Sequence, residues 1–154
     1  MMGLPESFNL SLAEFGKLLG ENLAIVDGRC QFVVDGTVEV ELDYLEDVHV
    51  VLAWSVIGYA PEDEYQEERA QALLALNELG EENGGFSLAM DPETRRIIAQ
   101  DHRPAEQFST TDALAAWIDE LVSLVGRVRR DAAERFPVND FIEEAMAAQA
   151  AEEV

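Results

Sequence analysis

The segment from Gly84 to Gln100, Gly-Gly-Phe-Ser-Leu-Ala-Met-Asp-Pro-Glu-Thr-Arg-Arg-Ile-Ile-Ala-Gln, constrains the fold more than any other part of the chain. Asp91 suits the first position of a type I turn and Pro92 pre-sets φ at the second. A loop of about four residues is a common hairpin connection. Phe86, Leu88 and Met90 alternate with the small Ser87 and Ala89, so the strand before the turn carries one large apolar face. A leucine-rich helical pattern from Ala72 to Leu79 precedes this hairpin and a long amphipathic pattern follows it, which puts helices and an antiparallel ribbon in the same chain.

The remaining elements read as follows. Ser11-Leu12-Ala13-Glu14 matches a capping box, and Leu12, Phe15, Leu18, Leu19 and Leu23 recur at helical spacing, predicting a first helix that ends near Gly20 to Asn22. Cys30, Phe32 and Val34 alternate up to Asp35-Gly36, a hairpin signal favouring a type I′ turn. Val38, Val40 and Leu42 then alternate with Glu39, Glu41 and Asp43, so the second strand has a solvated acidic face. The run from His49 to Gly58 is apolar at both parities, as expected of a strand covered on both faces or lying at an interface. Pro61-Glu62-Asp63-Glu64 suits the first turn of a helix that Ala70, Leu73, Leu74 and Leu76 carry to Asn77 or Leu79. After the second hairpin, His102-Arg103-Pro104 leaves the sheet. Ser109-Thr110-Thr111-Asp112 caps a long helix through Leu114, Trp117, Ile118, Leu121, Leu124, Val125 and Val128. Phe136-Pro137 ends it, and Asn139 caps a short final helix.

These elements define an α+β fold in the order α-β-β-β-α-β-β-α plus a short C-terminal helix, with helices against a mainly antiparallel five-stranded sheet. The expected organisation is a single domain over residues 1–136 and a helical extension over 137–154. A chain of 154 residues can bury roughly two-thirds of its unfolded surface. No apolar run approaches the roughly 18 residues that span a bilayer, and no secretory leader opens the chain, so the default address is cytosolic.

Charge narrows the partners. Asp and Glu number 32 against 10 Lys and Arg, a formal net of −22, which disfavours nucleic acid as a partner and favours basic or weakly charged proteins. The one basic cluster, Arg127, Arg129, Arg130 and Arg135, sits near a helix end, where it complements the dipole.

Catalytic chemistry finds little support. The chain carries no phosphate-binding loop, dinucleotide fingerprint, nucleophile elbow or His-Glu-x-x-His. Cys30 with His49 or His102 could supply a nucleophile and base, but a lone cysteine opening an apolar strand is ordinarily an inert buried thiol. Glu39, Glu41 and Asp43 lack the spacing and turn glycine of a calcium loop, and Trp54 and Trp117 read as core anchors. The expectation is a protein with no catalytic residues, no metal and no cofactor.

Element order and local strings together resemble the class I type III secretion chaperones, the Tir chaperone (CesT-like) family, from about Leu10 to Arg130. The strings are Leu12-Ala13-Glu14-Phe15-Gly16-Lys17-Leu18-Leu19, the Cys30 to Leu42 hairpin, Val56-Ile57-Gly58, Leu73-Leu74-Ala75-Leu76-Asn77 and Gly85 to Thr94. The resemblance implies a homodimer in the bacterial cytoplasm, without ATPase activity, that binds the extended N-terminal segment of a secreted effector protein, with no nucleic acid or membrane as partner. It also implies a dimer interface at Trp54, Leu73, Leu74 and Leu76, and effector contacts at Phe15, Leu19, Phe32, Val34, Val40, Leu42, Phe86 and Leu88. The same residues also fit plain core packing, the commoner role of apolar residues at these periods. A YbjN-like regulatory domain of the same fold, binding a folded partner, is the alternative. An enzyme or metal protein using Cys30, His49 or His102 is a third reading. The stretch from Arg135 to Val154 extends past the family's usual final helix.

Overall fold

The two hairpins lie at opposite ends of one antiparallel sheet. In the computed structural model, which describes residues 6–60, 62, 64–77 and 83–135, the order of elements is α1 (Glu6–Leu19), β1 (Arg29–Val34), β2 (Val38–Leu45), β3 (Val50–Tyr59), α2 (Gln66–Asn77), β4 (Ser87–Met90), β5 (Arg96–Pro104) and α3 (Thr111–Arg135). The strands lie in the order β1-β2-β3-β5-β4, and every neighbouring pair is antiparallel. This is the expected α+β architecture. The break at Phe136-Pro137, the short final helix and the 137–154 extension fall outside the described residues.

Alternation along the strands sorts the sheet into two faces. Phe32, Val40, Leu42, Val51, Ala53, Ile57, Ile97 and Ala99 point to the side covered by α1 and α3 and are buried. From α3, Leu114, Trp117, Ile118, Leu121, Leu124, Val125 and Val128 all enter this core, as the helical period predicts. Trp117 is its aromatic centre, stacked on Phe108 (4.5 Å between centroids) and Phe86 (5.9 Å), with Phe8 packed edge-on against Phe108. Burial of these side chains at about 25 cal/mol per Å² is the main stabilising term.

Several boundaries differ from the sequence reading. α1 begins at Glu6, so Ser11 is a buried mid-helix residue rather than a cap, and Phe8 adds a core contact one turn earlier. Leu18, expected on the apolar face, is 73% exposed. The C-terminus behaves as read: Gly20 adopts φ +74°, its N–H bonds Lys17 O, and Glu21 N–H returns to Gly16 O at 2.8 Å, a Schellman closure. α2 starts at Gln66, after a bend at Glu62 and a turn at Glu64 and Tyr65. β5 does not leave the sheet at His102. It stays paired through Pro104, whose missing N–H costs nothing at a strand's last residue.

Both turn readings hold, with one addition each. Asp35 and Gly36 have the positive φ of a type I′ turn (54° and 71°), and Thr37 is an extra loop residue before Val38 pairs with Val34. At the second hairpin, Asp91 Oδ1 accepts from the N–H groups of Glu93 and Thr94, which holds its carboxyl below the usual range. The loop closes at Arg95, in the left-handed region at φ 62°. Arg95 also donates to Ala60 O at 2.6 Å, tying the turn to the end of β3.

Candidate protein-binding surfaces

Of the sequence-predicted contact residues, Phe15, Phe32, Val40, Leu42, Phe86 and Leu88 are buried in the core, while Leu19 and Val34 are partly buried at its margin. Phe15 meets Phe32 edge-on at 5.6 Å, and Phe86 stacks on Trp117. Among the described residues the large apolar side chains that reach the surface are others: Leu10 and Leu18 on α1, Val26 before β1, Val33 on β1, Leu45 ending β2, Val48 after it, Leu74 on α2 and Met90 on β4.

The two edges of the sheet are unequal. At β4, the main-chain groups of Leu88 that turn away from β5 are both taken by one side chain: Asn77 Oδ1 accepts from Leu88 N–H (2.7 Å) and Asn77 Nδ2 donates to Leu88 O (3.0 Å). The last residue of α2 thus imitates a neighbouring strand. At β1, Tyr44 N–H bonds Gly28 O, and Arg29 exchanges both main-chain bonds with Val26. The antiparallel alternation then points the N–H and C=O of Gln31 and Val33 outward. Both residues are exposed, and among the described residues nothing pairs with this edge beyond the Val26 bridge at Arg29.

α2 packs only lightly. Its one buried side chain is Arg69, and its pattern shows almost no amphipathic bias. Beside it Ala70, Leu73, Leu74, Leu88, Ala89, Met90 and Ile97 line an apolar groove of about 210 Å³. Leu74 is 67% exposed at its rim. The predicted pair Leu73 and Leu74 therefore meet in one groove. Leu76 lines a separate depression with Leu124, Arg127 and Val128. Trp54 lies elsewhere, on the sheet face that α1 and α3 leave uncovered, so it is not the core anchor read from the sequence.

That uncovered face holds the acidic row of β2, and the row is not simply solvated. Glu41 pairs across to Trp54 on one side and Gln31 on the other and is only 5% exposed. Its Oε1 accepts from Gln31 Nε2. Its Oε2 has no hydrogen-bond donor among the described residues and faces Arg29 Nε at 3.4 Å. Arg29 Nε instead donates to Asp43 Oδ1 at 3.0 Å, and Trp54 Nε1 donates to Asp43 Oδ2 at 2.9 Å. Burial pushes the Glu41 carboxyl up, and the neighbouring Asp43 adds to the shift against the lowering by Gln31. Arg29, Gln31, Glu39, Glu41, Trp54 and Arg96 surround a pocket of about 340 Å³.

Cys30 is buried, and burial pushes its thiol up, away from the reactive thiolate. His102 is exposed on the opposite sheet face, and exposed His49 bonds Tyr44 Oη at 3.0 Å, so the structure does not assemble the three residues. Among the described residues no three His, Cys, Asp or Glu side chains are placed to share a metal ion, and no helix is long and apolar enough to cross a membrane.

Two polar anchors escaped the sequence reading. Arg129 does not serve the end of α3: it is buried and donates to Ile57 O (2.9 Å) and Val56 O (3.2 Å) at a bulge in β3 and to Thr37 O (2.9 Å) in the β1-β2 loop. Asp101 accepts from Trp117 Nε1 and Arg103 Nε, both at 2.9 Å, and Arg103 reaches Gly84 O at 2.8 Å beneath the turn before β4. A lone arginine on a helix's apolar stripe was the available signal for the first.

An open five-stranded antiparallel sheet, with two helices on one face and a third flanking its edge, places the chain in the α+β class seen in secretion chaperones. The Tir chaperone protein (CesT) family model matches residues 11–129, and the chain belongs to that family. The resemblance drawn from the sequence is thereby borne out. Among solved structures, the fold is similar to a chain of the HopA1-SchA chaperone-effector complex, at 21% identity and a TM-score of 0.64, covering 80% of this chain and 94% of that one. It is also similar to a chain of the ExsC-ExsE complex (19%, TM-score 0.65, coverage 80% and 92%). A third likeness is to a chain of the heterodimeric ExoU-SpcU complex from the type III secretion system of Pseudomonas aeruginosa (19%, TM-score 0.60, coverage 76% and 93%). No curated protein sequence matches the chain significantly.

Proposed function

We propose that this protein is a non-enzymatic type III secretion chaperone, acting as a homodimer in the bacterial cytoplasm, which holds the N-terminal segment of one secreted effector extended without ATP hydrolysis. The observation that carries this reading is membership of a chaperone family over a match that runs from α1 to α3. Three features of the surface support it. The outward main-chain groups of Gln31 and Val33 suit an added strand, which gains affinity from main-chain bonds and specificity from alternate side chains. Leu19 and Val34 at the core margin supply apolar contact beside that edge, over a floor formed by buried Phe15, Phe32, Val40 and Leu42, while exposed Val33 offers contact on the other sheet face. Phe86 and Leu88 support the opposite end of the sheet. The groove between α2 and β4, with Leu73 and Leu74, suits a second copy of the chain.

Co-expression with the protein encoded beside it tests the reading. A stable complex of two copies of this chain with one effector is expected, and deletion of the effector's N-terminal segment should abolish it. A monomer that captures no effector segment, or binding that survives the deletion, overturns the proposal.

A further inference from the structure

We propose that the pocket on the uncovered sheet face is an anchor for one arginine side chain of the bound segment, whose guanidinium donates to Glu41 Oε2 and lies against the Trp54 indole. The assignment rests on the chaperone reading for its partner, but its geometry stands on this chain alone. Glu41 is more than nine-tenths buried, lines the pocket, and keeps one carboxylate oxygen without a hydrogen-bond donor. A buried carboxylate left half-satisfied is costly, and a charge-assisted N–H donor removes that cost. The lining itself balances, Glu39 and Glu41 against Arg29 and Arg96, and Asp43 behind it, bonded to Arg29 and Trp54, adds one negative charge to the cluster.

Position selects the source and the side chain. Arg29 and Gln31 of β1 form the outer wall of the pocket, so it opens beside the strand edge proposed to receive the effector. Glu41 lies on β2, two strand spacings or about 10 Å from an added strand, so only a long side chain reaches it. Arginine fits better than lysine: its planar fork stacks on an indole while donating in its own plane. Arg29, with a side chain 60% exposed and held by Asp43, has room to turn outward as the new guanidinium arrives.

The test titrates the full chain with N-acetyl-arginine amide while following the Trp54 Nε1–H resonance. A saturable shift is expected. Binding should weaken by about tenfold or more with the uncharged N-acetyl-citrulline amide, and equally in Glu41→Gln, about the loss of one charge-assisted bond. Glu41→Gln keeps the shape and removes a buried charge, so it should remain folded. No saturable shift, or equal binding by the citrulline compound, the lysine analogue or the variant, overturns the inference. Co-expression separates the two ideas. If Glu41→Gln captures the effector as tightly as the parent, the anchor is wrong and the chaperone reading stands; if the arginine compound binds but no effector is captured, the reverse holds.

Discussion

Arg129 gives its N–H groups to three main-chain carbonyls inside a chain whose net charge is −22. It joins α3, the β1-β2 loop and the bulge of β3 in one contact, and burial lowers its pKa. Arg129→Ala should cost about 2–4 kcal/mol in urea unfolding, since it leaves buried carbonyls unpaired. Arg129→Lys should recover only part of that loss, because an ammonium cannot span the same fork. Glu41 works in the opposite sense. Its folded pKa is raised, so the native state holds the proton more tightly than the unfolded chain, and its contribution to stability improves as pH falls through the folded value. Glu41→Gln should therefore raise the Tm at neutral pH and flatten that part of the pH profile; a lower Tm would show that the ionised carboxylate is net stabilising. Neither residue's role was legible in the sequence. An acid alternating with valines reads as solvated, and only the pairing of β1, β2 and β3 encloses it.

Among the elements, α3 was the most readable, because a 3.6-residue period over many turns fixes which seven side chains face the sheet. The hairpins were readable for a similar reason: turn chemistry at Asp35-Gly36 and Asp91-Pro92 acts within a few residues. What the sequence misplaced depends on distant partners. Ser11 resembles a cap locally, yet Phe8 finds Phe108 and draws the helix one turn further back. α2 carries the least local information, and Asn77 is the side chain that ties it to the edge of β4. Asn77→Ala should cost about 1–2 kcal/mol and speed amide exchange at Leu88 by at least about tenfold, without changing the α1 and α3 core. Unchanged protection at Leu88 would mean that α2 is held by other contacts. Gly16 shows a similar dependence on a close approach: an added Cβ would lie 2.7 Å from Glu21 O, so Gly16→Ala should loosen the α1 closure and lower the Tm by several degrees.

For the whole molecule, the proposed pairing of two copies places Leu74 at its centre. Leu74 is exposed in the single chain, so Leu74→Asp should leave the fold intact and shift sedimentation to the monomer; a persistent dimer would move the contact to another face. The large net charge should make that dimer tighter in higher salt, as screening reduces repulsion between like-charged copies. The fold class and the family were visible from sequence because they depend on element order, whereas the surfaces depend on which edge of the sheet is blocked. A sheet with two open edges is a template for endless growth, each added strand exposing a new one. Here the amide of Asn77 stops one end at Leu88, so extension has a single direction. Two chains that joined edge to edge through β1 would leave no further open strand edge, so growth of the sheet strand by strand would stop at a pair.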